Sequence, residues 1–246
     1  MPHDKVPHDP ASQERSFRKQ SSREQSSLEC SSYGRSSQQG VSQEMNEQAE
    51  HRLPLADEPL PLLCIAAFSG TGKTTLLEAL LPRLAERGIR AAVIKHAHHQ
   101  FDIDQPGKDS HRLREAGAAP MLIASRSRTA LMINTPGQDE PDLAALIEQV
   151  RPLAPDLVLI EGFKAWPLPK LELHRPSLGK PLRAVEDPWV MAVASSTPLT
   201  LPAGVESLSL DDLAALTDWV AAWPGRWPEQ RGMPARQLSA SQEAST

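Results

Sequence analysis

The chain has 246 residues, 39% of them apolar, 23% charged and 4% aromatic, with a formal net charge of −5. That balance excludes a strongly basic nucleic-acid binder. The apolar run Leu60–Phe68, nine residues, falls far short of the ~20 that cross a bilayer, so no membrane partner is expected.

Residues 1–50 hold 11 Ser and 7 Gln but only 10 apolar side chains. So little apolar surface cannot offset the entropy of ordering, and 1–57 reads as a disordered polar tail. Residues 226–246 read as a flexible C-terminal tail for the same reason. Residues 58–225 remain as one domain of about 165 residues, large enough for a single core. No apolar leader follows Met1, and Cys30 and Cys64 form neither a disulfide framework nor a zinc spacing. Cys64 reads as a small buried hydrophobe, and the expected compartment is the cytoplasm.

Apolar runs predict strands at Leu62–Phe68, Ala91–His96, Met121–Ser125, Ala130–Asn134, Leu157–Glu161, Leu171–His174 and Val190–Ala194. Several are continuous rather than alternating, as in strands buried on both faces. Helical patterns fall between them at Lys73–Arg87, Lys108–Ala116, Asp142–Val150 and Asp211–Trp223. Gly88 and Gly117 suit left-handed caps after the first two, and Asp142 and Asp211 suit N-caps of the last two. Pro82 must kink the first helix or open one of its backbone bonds. The alternation predicts an α/β fold, a mainly parallel sheet flanked by helices, and the Gly70-Thr71-Gly72-Lys73 loop between the first strand and helix makes it P-loop NTPase-like. The pair at 121–134 reads as an added β-hairpin. Trp166 to Pro169 reads as a rigid exposed turn leading into an edge strand at Leu171–His174. Trp219 and Trp223 lie four apart, on one helical face, and suit core packing in preference to a dimer or partner surface.

The most specific motif follows the first strand: Ala67-Phe68-Ser69-Gly70-Thr71-Gly72-Lys73-Thr74-Thr75. A strand before and a helix after are the context that a phosphate-binding loop requires. Gly70 and Gly72 let backbone N–H groups turn toward a phosphate, and the positive helix end adds to that field. Lys73 is placed for the β- and γ-phosphates, and the Thr74 hydroxyl for Mg²⁺. The position usually taken by the first glycine is Ala67, which fits only with a negative φ. A second strand carries Asp156 and Glu161 at its two ends, about 16 Å apart, so they cannot share one metal. Ligands bind at carboxyl ends in parallel sheets, which selects Glu161 for the Mg²⁺ and leaves Asp156 as a surface charge. Gly162 lets the backbone beyond Glu161 approach the phosphates. The loop after the second strand holds His96, His98, His99, Asp102 and Asp104. Its spacing matches no standard zinc site, though a transition metal is conceivable chemistry for such residues. Asp104 or Asp102 is the candidate for sensing Mg²⁺ or phosphate. Phe101 reads as a buried anchor, and Lys108, Asp109, Arg112 and Arg114 as an exposed helix face.

These segments together resemble the molybdopterin-guanine dinucleotide biosynthesis protein B (MobB) family. The resemblance rests on A-F-S-G-T-G-K-T-T-L-L, on H-A-H-H-Q-F-D-I-D-Q-P-G-K-D-S, on R-E-A-G-A, on D-L-V-L-I-E-G-F-K and on V-M-A-V-A-S, from about residue 61 to 223. It implies a homodimeric GTP-binding accessory with at most weak, Mg²⁺-dependent GTPase activity. The expected partners are the guanylyltransferase MobA, which joins GMP to molybdopterin, and the molybdenum-insertion machinery. By position, Ser69, Gly70, Thr71, Gly72, Lys73, Thr74 and Thr75 would hold the phosphates of GTP, and Lys73 and Glu161 would serve any hydrolysis. Thr74, Glu161 and Asp104 would surround Mg²⁺. His98, His99, Asp102, Asp104 and Lys108 would lie in a family signature loop. Guanine preference is implied by the resemblance alone: no N-K-x-D is present, and Ser196 follows Val193-Ala194-Ser195 at the end of a late strand.

Two other enzyme classes share such a loop. A P-loop small-molecule kinase needs an Arg-rich lid, and Arg126 and Arg128, the nearest candidates, sit on too short a loop. A metallochaperone GTPase would use the histidine loop as its metal site, but the N-K-x-D and the paired-Cys or His-rich tract are missing. A module that binds nucleotide without hydrolysing it is equally compatible with intact Thr74 and Glu161.

Overall fold

A computed structural model describes residues 55, 57–97, 101–230 and 232–235. Most of the expected N-terminal tail, together with His98, His99 and residues 236–246, lies outside them.

The strands are β1 (Leu62–Ala66), β2 (Ala91–Lys95), β3 (Met121–Ala124), β4 (Thr129–Met132), β5 (Leu157–Glu161), β6 (Lys170–His174), β7 (Val190–Ser195) and β8 (Glu206–Ser209). The helices are α1 (Lys73–Glu86), α2 (Asp109–Glu115), α3 (Leu143–Val150), α4 (Leu213–Ala221) and α5 (Trp223–Gln230). Six strands form one parallel sheet in the order β2-β5-β1-β6-β7-β8, and β3 pairs with β4 as a separate antiparallel hairpin. β1 is fully buried, as are β7 and the first four residues of β5, which explains their unbroken apolar runs. Leu76, Leu80 and Leu84, on one stripe of α1, join them in the main core.

Local signals explain most boundaries. Gly88 and Gly117 take φ of +76° and +106° after α1 and α2. Asp142 caps α3 by accepting from the Ala144 N–H at 2.9 Å. α1 runs through Pro82 as one helix. At α4 the cap is Asp212, not Asp211: its carboxylate accepts from the Ala215 N–H at 2.9 Å.

Four further points differ from the sequence expectations. Leu171–His174 is no edge strand, because β6 lies between β1 and β7 in the middle of the sheet. Lys170, Glu172 and His174 alternate along it like a wet face, yet all three are buried. Segment 175–189 supplies internal partners: both Glu172 oxygens accept backbone N–H groups, from Arg183 and Ala184, at 2.8 Å. Second, the Trp166–Pro169 turn is not exposed, since Leu168 and Pro169 are buried. Residues 162–169 carry the chain past β1 from β5 to β6 with no helix. Third, β8 was not predicted: Glu-Ser-Leu-Ser has one apolar side chain and lies at the sheet edge. Fourth, the domain does not end at residue 225. α5 buries Trp223 and Trp227, whose indole N–H groups donate to the Leu62 carbonyl at 2.9 Å and the Glu58 carbonyl at 2.8 Å. Pro224 and Gly225 read as breakers, but proline is tolerated in the first helical turn.

Candidate functional site

The carboxyl ends of β1, β2 and β5 meet at one edge of the sheet, where a parallel sheet binds ligands. The loop from Phe68 to Gly72 leaves β1 there. Gly70 and Gly72 adopt φ of +80° and +105°, conformations that other residues rarely take, and open space surrounds the Cβ position at both. Ala67 keeps a negative φ, which removes the objection to alanine there. Thr71 is buried and braces the loop, its hydroxyl donating to the Phe68 carbonyl at 2.9 Å. Ser69, Thr74 and Thr75 are exposed, and among the described residues the Thr74 hydroxyl makes no hydrogen bond.

Lys73 folds back over this loop. Its ammonium donates to the carbonyls of Ala67 at 3.3 Å and Phe68 at 3.4 Å. Burial and then the nearby Lys164 charge hold its pKa below the ordinary lysine value, and Lys95 adds to this; Glu161 acts in the opposite direction. Such a lysine is poorly compensated until an anion arrives. Glu161, at the end of β5, has a side chain 13% exposed and pairs with Lys95 at 3.4 Å. Gly162 follows at φ +98°, and a Cβ there would stand 2.6 Å from that of His96. The glycine is therefore required by close packing against the end of β2. The His96 ring lies 5.0 Å from that of Phe163, and its Nε2 is 3.2 Å from Glu140. At the other end of β5, Asp156 accepts from the Arg90 N–H at 2.8 Å, the structural use expected of it.

Asp104 is held by Arg114 of α2. Its side chain is 4% exposed, and one oxygen accepts from Arg114 at 3.0 Å, while Asp102 accepts from the same guanidinium at 2.8 Å. The Arg114 hydrogen bond holds the Asp104 carboxyl below the usual carboxylate range. Its other oxygen is buried and, among the described residues, has no hydrogen-bond partner. Arg114 is thus not part of an exposed helix face, because two acids draw it inward. Phe101 is no buried anchor, being 70% exposed. His98 and His99 lie outside the described residues, and among the described residues no three His, Cys, Asp or Glu side chains converge as a metal site.

Two contributors carried no signal of their own. Arg175, just after β6, donates from Nε to the Thr71 carbonyl at 3.0 Å and ties the loop to the next strand. Lys164 was visible only as the last letter of E-G-F-K. Cys64 behaves as expected: burial pushes its thiol up to about 11, and it donates to the Gly162 carbonyl at 3.3 Å.

The arrangement is an open glycine loop at a helix N-terminus with a lysine beside it, an exposed hydroxyl at its helix end and a carboxylate on the neighbouring strand. It suits a polyphosphate with a divalent cation. Comparison with known proteins agrees. The sequence model of a family described as "Molybdopterin guanine dinucleotide synthesis protein B" matches residues 62–196. A molybdopterin-guanine dinucleotide biosynthesis adapter protein of Escherichia coli K12 is 48% identical over 165 residues, 67% of this chain and 93% of that protein. The protein of the same description from Haemophilus influenzae is 43% identical over 164 residues, 67% and 89% of the two chains. Among solved structures, the crystal structure of Bacillus subtilis MobB superposes with a TM-score of 0.54 at 27% identity, covering 67% of this chain and 98% of that one.

Proposed function

Because the chain belongs to the molybdopterin guanine dinucleotide synthesis protein B family and is an adapter of that biosynthesis, we propose that it binds GTP with Mg²⁺ at the phosphate loop and hydrolyses it weakly. The observation that carries this reading is the empty space before Gly70 and Gly72, with the ammonium of Lys73 beside it. Ser69 to Thr75 would receive the phosphates through backbone N–H groups and side-chain hydroxyls. The Thr74 hydroxyl and Glu161 fit a Mg²⁺ ion, which supplies charge neutralisation at the phosphates. Glu161 would exchange its ion pair with Lys95 for that role. Asp104 joins the ion's shell only by loosening its pair with Arg114; its unpartnered buried oxygen is the atom it has to offer. The nucleotide serves formation of the guanine dinucleotide alongside the guanylyltransferase MobA and the molybdenum-insertion machinery.

The working form we propose is a homodimer. α2 buries none of its residues, and Leu122 and Leu131, paired in register on the hairpin, are 61% and 51% exposed. Phe101, Ile103, Leu131 and Ile133 line one cavity of about 420 Å³. A two-stranded hairpin with an apolar open face is only marginally stable alone, so a second copy of this surface would cover it.

The nucleotide reading is tested by calorimetry with GTP, GDP, ATP and ADP, each with and without Mg²⁺. GTP with Mg²⁺ should bind tightest, and Lys73→Ala should lose binding while keeping the native melting temperature. Equal affinity of the variant for GTP, or preference of the wild type for ATP, defeats it.

A further inference from the structure

A second concavity, of about 370 Å³, adjoins the phosphate loop but shares only Phe68 with it; none of residues 69–75 lines it. That volume lies in the range of small-ligand sites. Its floor is the buried Lys170, whose ammonium donates to the carbonyls of Trp166 at 2.8 Å and Leu168 at 3.1 Å and pairs with Asp187 at 3.2 Å. The other Asp187 oxygen accepts from the Trp189 N–H at 3.0 Å. The floor is therefore saturated and rigid. Pro167, Pro181 and Pro188 stiffen the walls, so little ordering is needed to receive a ligand.

The groups facing the space are of three kinds. Phe68, Trp166 and Trp189 present aromatic surface. Lys164 and Arg183 present cations that, among the described residues, make no ion pair. Glu186 presents an exposed carboxylate that is likewise unpaired. Aromatic faces stack on a planar ring, the cations suit a phosphate, and a carboxylate accepts from adjacent ring N–H and amino donors.

We propose that this cavity is a second ligand site, separate from the phosphate loop, for a phosphorylated 2-amino-4-oxo heterocycle of the pterin class. The proposal rests on the role of the chain in molybdopterin guanine dinucleotide biosynthesis. Guanine carries the same donor edge, so the chemistry has two sources, and the pterin is favoured because the guanine nucleotide already has its own cradle. Lys164 and Trp166 follow Glu161 by three and five residues, and Phe68 opens the phosphate loop. An occupant would touch both segments that hold the nucleotide, which couples the two sites reciprocally.

The test titrates the full-length protein with neopterin monophosphate and, separately, with GTP, by calorimetry and tryptophan fluorescence. Arg183→Ala and Glu186→Gln should each weaken neopterin monophosphate about tenfold, the loss expected for a charged hydrogen bond, while leaving GTP within about twofold. Glu186 is exposed, so its variant reads out even where Arg183→Ala disturbs folding. Lys73→Ala should lose GTP and keep neopterin monophosphate. The proposal is overturned if the wild type does not bind the pterin phosphate, if neither cavity variant weakens it, or if Lys73→Ala removes both ligands together. Loss of GTP rather than pterin in the cavity variants assigns the space to guanine and overturns it equally. Pterin binding by a wild type that ignores GTP would sink the nucleotide reading and leave this one standing.

Discussion

Lys73 is held in an uncomfortable state. Its charged form is disfavoured by burial and by Lys164, and the Glu161 charge with two long carbonyl contacts offsets this only in part. A bound phosphate favours the charged form and raises the pKa again. Between the depressed value of the free protein and the restored value of the complex, binding therefore takes up a proton, and affinity falls as pH rises through the free-protein value. Calorimetry in two buffers of different ionisation heat, repeated as the pH is raised toward the ordinary lysine value, should show this uptake, and Lys164→Ala should move its onset upward. No proton uptake would mean that Lys73 is charged throughout. Gly162 makes a second prediction. Any side chain there meets His96 and takes an unfavourable positive φ, so Gly162→Ala should cost on the order of 1–3 kcal/mol in denaturant unfolding. At this scale the sequence was informative where a residue type dictates local geometry, as with the positive φ of Gly70 and Gly72. It was silent on Arg175 and Arg114, whose roles arise from distant chain segments meeting.

Elements were legible in proportion to their burial. β1, β5 and β7 are continuous apolar runs, and their positions were plain. β6 misled because its polar alternation mimics an exposed face, while Lys170, Glu172 and His174 have partners that only the folded chain provides. β8 has too little apolar character to register, and α5 was hidden behind its prolines. The hairpin of β3 and β4 was found, but its apolar outer face could not be foreseen without knowing what the sheet leaves uncovered. That face predicts assembly. Leu131→Asp should convert a dimer to monomers in light scattering after size-exclusion chromatography, with the helix content of the domain preserved. An unchanged mass would place the dimer contact elsewhere.

For the whole molecule, the fold class followed from the strand and helix pattern and the motif, but the extent of the domain did not. The C-terminal tryptophans close the bottom of the core: Trp223 and Trp227 are almost fully buried, and Arg226 stacks 5.1 Å from the Trp219 ring centre. The backbone of Ala235 also reaches the Pro188 carbonyl at 2.9 Å. Truncation after residue 225 should therefore destabilise the protein by at least the ~3–5 kcal/mol typical of losing one buried Trp, read as a large fall in melting temperature. Deleting residues 1–50 should leave that temperature nearly unchanged, as their composition implies. The opposite pattern would show the polar segment, not α5, completing the core.

The central place of β1 has a consequence for biosynthesis. This strand emerges from the ribosome first, yet both of its neighbours, β5 and β6, are translated about a hundred residues later. Until then Leu-Leu-Cys-Ile-Ala is a naked adhesive segment, and nothing made in the interval can pair with it inside this sheet. The nascent chain is thus most vulnerable at its most apolar point, and the phosphate loop hangs from an unanchored strand. The sheet therefore begins only when β5 is made and joins β2 to β1, and it then grows outward through β6, β7 and β8, so the phosphate loop stays on an unpaired strand long after its codons are read.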